Sequence, residues 1–115
     1  MTKTTFHRLL IDAAECSSLD EYIAEVGGSL PAAYYNDEDA HSVIDVLSAI
    51  WELREDLTFR SVRKLSELTQ AAFSQHYNIP IRSVQNWDTG ERVPPDYLLE
   101  LLSADVITEK FENLN

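Results

Sequence analysis

The stretch from Leu68 to Gly90 constrains the fold more than any other part of the chain. Thr69 is placed to cap a helix, because its hydroxyl accepts from amides that a first helical turn leaves unpaired. Ala72, Phe73 and Tyr77 follow on one apolar face with one small position. Asn78 tolerates the left-handed backbone that stops a helix. Pro80 carries a preset φ suited to the first turn of a new helix. Val84 and Trp87 turn that helix inward on one side, and Gly90 suits the left-handed residue at its end. Two short helical patterns joined by a tight turn make a helix-turn-helix unit.

A chain of 115 residues is long enough for one domain, or for one domain with an appendage. With 44% hydrophobic and 25% charged residues it can bury a core. No apolar run approaches the ~20 residues of a membrane span. Met1–Thr5 opens without a long apolar signal region, so the expectation is a cytoplasmic protein without a membrane partner. Cys16 is the only cysteine, which rules out an intrachain disulfide framework and fits a reducing compartment.

The net charge of −11 is unevenly spread. Residues 1–57 hold Lys3, Arg8 and Arg54 against twelve acids, a balance of −9. Residues 58–95 hold five cations (Arg60, Arg63, Lys64, Arg82 and Arg92) against Glu67, Asp88 and Glu91, a balance of +2. Residues 96–115 hold Lys110 against five acids, a balance of −4. The helix-turn-helix unit therefore sits in the one segment with positive balance. The whole-chain charge weakens non-specific affinity for nucleic acid and leaves room for a local DNA-facing surface.

Three units are expected: an acidic helical region over 1–57, a helix-turn-helix domain over 58–103, and a tail over 104–115. Phe6, Leu9, Leu10, Ala13 and Ala14 predict an amphipathic helix over 4–15, capped by Thr4 or Thr5. Ser18 and Glu21 read as a capping box for a second helix, with Leu19, Tyr22, Ile23 and Val26 inward and Gly27-Gly28 as its stop. Residues 29–36 read as irregular or one helical turn, with Tyr34 and Tyr35 packed under cover. A longer helix is expected over 38–55, capped by Asn36 or Asp37. Its main stripe is Val43, Ile44, Leu47, Ile50 and Trp51, broadened by Val46 and Leu53. Thr58 caps the next helix, with Phe59, Val62 and Leu65 inward. After the stiff Arg92–Pro95 connector, Asp96 opens a last core helix, while residues 104–115 are compatible with helix or strand. The fold class is all-α.

Leu68-Thr69-Gln70 and Phe73, then Tyr77-Asn78-Ile79, then Ser83-Val84, Trp87, Gly90, Arg92 and Pro94 resemble the phage repressor/Cro-like (XRE-type) helix-turn-helix family. The resemblance covers about residues 58–102. It implies a lambda-repressor-like helix-turn-helix bundle, here with an N-terminal acidic helical extension. The chain departs from the family pattern at Asn78 and Glu67, where glycine is usual, at Asp88, where Glu is usual, and at Ser74, where Ala is usual. Glu67, Asp88 and Glu91 add negative charge near the DNA side.

The resemblance implies that the helix over 80–88 enters the major groove of double-stranded DNA. Independently, a period of ~100° per residue turns Arg82 and Asn86 away from Val84 and Trp87, with Ser83 and Gln85 flanking and Ile81 at the leading edge. Arg, Asn and Gln are the side chains that read guanine and adenine edges, and Ile81 suits a thymine methyl. Thr69 belongs with this surface as the cap beside Gln70, and the resemblance implies a phosphate contact at Gln70. Arg92 is a second phosphate candidate, with Arg60, Arg63 and Lys64 behind it. Binding to two half-sites implies a homodimer.

His7, His41 and His76 are scattered without metal-ligand spacing, and no glycine-rich phosphate loop or nucleophile constellation is present. The expectation is a sequence-specific transcriptional regulator of repressor type, not an enzyme, with no cofactor and no metal. The alternative is a protein-binding module, such as an antitoxin or anti-CRISPR protein, using its acidic N-terminal half on a basic partner.

Overall fold

Hydroxyl side chains set where the helices begin. The structure, a computed structural model, describes residues 1–27 and 41–112. Thr2, Ser18, Thr58 and Thr69 each accept from the backbone amide three residues on, at 3.1 Å in every case. They open α1 (Lys3–Glu15), α2 (Leu19–Val26), α4 (Phe59–Ser66) and α5 (Gln70–Tyr77). Between them lies α3 (His41–Leu53), and after them α6 (Ile81–Thr89), α7 (Asp96–Ile107) and a turn of π-helix, Thr108–Glu112. Among the described residues all regular structure is helical. No described helix is long and apolar enough to cross a membrane.

The cap of α1 is Thr2, not Thr4 or Thr5. Thr2 has extended backbone (φ −86°, ψ 161°), while Thr4 and Thr5 lie inside the first turn, where the Thr5 amide needs the acceptor. The α2 cap differs in one arm. Ser18 plays the expected part, but the Glu21 carboxylate reaches one residue further back, to the Ser17 amide at 2.8 Å and its hydroxyl at 2.6 Å. These bonds hold Glu21 below the usual carboxylate range. At α4 the box is reciprocal, since the Thr58 amide donates to Ser61 Oγ at 2.9 Å.

One apolar core joins the N-terminal helices to the rest. It includes Phe6 and Leu9 of α1, Tyr22 of α2, Leu47 and Ile50 of α3, Phe59 and Val62 of α4, Phe73, Val84, and Leu99, Leu102, Val106 and Ile107 of α7. α7 lies against both α1 and α4, so residues 1–57 and 58–103 share this core. Tyr22 is buried with its polar end satisfied, its hydroxyl donating to the Leu9 carbonyl at 2.8 Å.

The inward face of α3 is rotated from expectation. Val46, Leu47, Ile50 and Leu53 are buried, whereas Ile44 is 42% exposed. Trp51 is half-buried, 5.8 Å from the Tyr22 ring and under the Arg54 guanidinium at 3.6 Å. The segment over 104–107 is helix, because Ala104, Val106 and Ile107 are buried as a continuation of the α7 face. The expectations for residues 28–40, including Tyr34, Tyr35 and the cap at Asn36 or Asp37, lie outside the described residues, as does the Val43 side chain.

Candidate nucleic-acid interface

The turn between α5 and α6 is closed by backbone and by one hydroxyl. Asn78 is left-handed (φ 52°, ψ 47°). Its amide donates to Gln75 O at 3.4 Å and the Ile79 amide donates to Ser74 O at 3.0 Å, a paired closure of the α5 C-terminus. Ser74 Oγ donates to Ile79 O at 2.5 Å, a clamp that alanine at this position would lack. Pro80 (φ −54°, ψ 135°) is too extended to be helical, so α6 begins one residue later than expected and ends at the left-handed Gly90 (φ 80°).

The inner face of α6 is held by aromatic packing and by a charge network. Val84 is fully buried. The Phe59 ring meets Phe73 and Trp87 edge-on, at 5.2 and 5.4 Å, tying α4, α5 and α6 together. Such pairs contribute ~0.5–1.5 kcal/mol each beyond burial. Asp88 is also inside, 7% exposed. Arg63 Nε and Nη2 donate to its two oxygens at 2.7 and 3.0 Å, and Gln70 Nε2 donates to one of them at 3.0 Å. Arg63 further donates to the Leu68 carbonyl at 3.0 Å. The Arg63 hydrogen bonds hold the Asp88 carboxyl below the usual carboxylate range.

This network corrects two expectations. Asp88 is not a negative charge on the outer surface, and Arg63 is not free for a phosphate, because each neutralises the other between α4 and α6. A sequence signal existed: Asp88 stands one residue after Trp87 and four after Val84, on the inward arc. An acid there requires a partner. Which cation supplies it depends on how α4 crosses α6, and no local pattern encodes that.

The outer face of α6 carries Arg82 and Gln85 exposed, Ile81 at 42% exposure, and Ser83 and Asn86 half-buried. The Arg92 amide donates to Asn86 O at 3.2 Å, folding the connector back over the end of α6. A cleft of about 540 Å³ results, lined by Pro80, Arg82, Ser83, Asn86, Trp87 and Arg92. Neither guanidinium on this cleft makes an ion pair or side-chain hydrogen bond among the described residues. Thr69 is exposed and occupied as a cap, while Gln70 is half-buried on Asp88. The structure thus brings Arg82, Ser83, Asn86 and Arg92 around one cleft, with Ile81 and Gln85 on the same helix. Arg60 and Lys64 are also exposed. With Arg63 and Asp88 paired internally, the exposed charges of 58–95 are these four cations against Glu67 and Glu91. No protein-family model, curated protein or solved structure matches the chain.

Proposed function

We propose that α4 to α7 form a repressor-like (XRE-type) helix-turn-helix bundle and that the protein is a sequence-specific, double-stranded-DNA-binding transcriptional regulator. The observation that carries this reading is the division of α6. Its inner face is pinned by Val84, Trp87 and the Asp88 network, and its outer face offers unpaired Arg82 with Gln85, Asn86 and Ile81. A rigid helix presenting such groups suits base-edge readout in the major groove. Arg92 and the exposed Arg60 and Lys64 serve the phosphates. Two half-sites require two copies. Tyr97 and Leu101, large apolar side chains left exposed one turn apart on α7, supply a face for the second copy.

Selection of bound sites from random duplexes at low salt tests the reading. The expected result is an enriched motif. Arg82→Ala then costs about 1–3 kcal/mol on that motif and relaxes one base position. Equal loss on selected and random duplexes removes Arg82 from a reading role, and failure to enrich any sequence sinks the proposal. A second reading, a module that binds a basic protein, draws on the acidic hollow of Asp12, Glu15 and Glu25 beside Cys16. Absence of DNA binding at low salt, together with capture of a basic toxin or nuclease, favours it.

A further inference from the structure

α5 and α7 meet through a cluster that the DNA-reading face does not use. His76 lies in the last turn of α5. Asp105 and Glu109 lie four residues apart at the end of α7 and the start of the π-helical turn, on one face. The ligand atoms of these three side chains lie within 4.8 Å of one another. His76 Nε2 stands 2.8 and 2.7 Å from the two carboxylate oxygens of Glu109. Among the described residues no lysine or arginine pairs with Asp105 or Glu109, since the adjacent Lys110 is turned to Glu67 and the Leu65 carbonyl. All three side chains are exposed, so an ion reaches them directly from solvent.

Two further observations fall at the same place. The Tyr77 hydroxyl, shielded from solvent, lies against the Asp105 carboxylate of this cluster. The backbone carrying Glu109 is π-helical, a conformation that is rare and concentrated at functional positions.

We propose that His76, Asp105 and Glu109 form a site for a divalent transition-metal ion of the zinc class, which clamps the end of α5 to the end of α7. An imidazole disfavours Mg²⁺ and Ca²⁺, which take oxygen ligands, and suits zinc-class ions. The ion replaces the proton that bridges Nε2 and Glu109, and the ring binds neutral with its remaining proton on Nδ1. Two carboxylates balance the charge of the ion. Three protein ligands leave water in the remaining positions. The site uses no residue of α6, so it stands or falls separately from DNA reading.

The test is a Zn²⁺ titration of the full chain by calorimetry, with Co²⁺ added in parallel and the imidazole protons followed by NMR. One saturable Zn²⁺ site is expected, and Co²⁺ shifts the His76 ring. His76→Ala, Asp105→Asn and Glu109→Gln each weaken binding by about tenfold or more, the least lost when even an outer-shell partner is removed. His7→Ala, which removes the other described His–carboxylate pair (to Glu100 at 2.6 Å), leaves binding intact. Zn²⁺ raises the Tm of the wild type and not of His76→Ala. Absence of saturable binding, binding that survives His76→Ala, or displacement by equimolar Mg²⁺ overturns the proposal.

Discussion

Asp88→Asn is the most informative single change, because it keeps the shape of the side chain and removes only its charge. In the wild type the carboxylate accepts three hydrogen bonds, two from Arg63 and one from Gln70. Asparagine offers one acceptor oxygen and turns an NH₂ toward a donor, either the guanidinium or the Gln70 amide. The Arg63 side chain is 16% exposed and that of Asp88 6%, so solvent cannot readily take over. Breaking a buried pair by removing one partner costs about 3–5 kcal/mol. The partial exposure of Arg63 places the expected loss near the lower end, ~3 kcal/mol, or a Tm lowered by roughly 10 °C for a domain of this size. Urea denaturation with matched m-values measures it.

The pH dependence has a definite sign. Asp88 is held below its ordinary value of 3.8 in the folded chain, so its contribution is complete above that value and is lost as pH falls through the lower folded value. The stability gap between wild type and Asp88→Asn therefore stays constant above about pH 5 and narrows below pH 4. A double-mutant cycle with Arg63→Met and Asp88→Leu should show the double variant less destabilised than the sum of the singles. A loss under ~1 kcal/mol for Asp88→Asn, additivity in the cycle, or a gap unchanged by acid would refute the assignment of this pair as the lock between α4 and α6.

Other consequences are smaller or simpler. Glu67 ends α4 with φ 63°, so Glu67→Gly relieves a left-handed side chain and should stabilise by about 0.5–1 kcal/mol in chemical denaturation. Its 3.6 Å pair with Lys110 is too exposed to reverse the sign. Ser74→Ala removes the hydroxyl clamp on the Ile79 carbonyl, and a loss of ~1 kcal/mol is expected, with faster amide exchange at Ile79. Phe59→Ala empties the site between Phe73 and Trp87, and a loss of about 3–5 kcal/mol is expected; a loss below ~2 would show that the cluster collapses around the gap.

Helix starts and stops were legible because their physics is local. Thr58, Thr69 and Ser18 each satisfy an amide three residues away, and Asn78, with its short polar side chain, and Gly90, with no Cβ, each adopt a left-handed backbone. Arg82 faces outward as the helical period requires with Val84 and Trp87 inward, whereas Asn86, expected outward beside it, is half-buried and Gln85, expected on the flank, is exposed. α3 was less legible. Apolar residues surround much of its circumference, so the period alone leaves its orientation open, and contact with α1 and α2 selected Val46 and Leu53 over Ile44.

Local residue order alone encodes the helical character of the described residues, most helix boundaries and the outward positions of Ile81, Arg82 and Gln85 on α6. The neutralisation of Arg63 by Asp88, the extension of α7 through residues 104–107 and the meeting of His76 with Asp105 and Glu109 emerge from the packed fold. The first group rests on interactions within a few residues of chain. The second depends on contacts between segments far apart in sequence, or on burial against a core assembled from the whole chain.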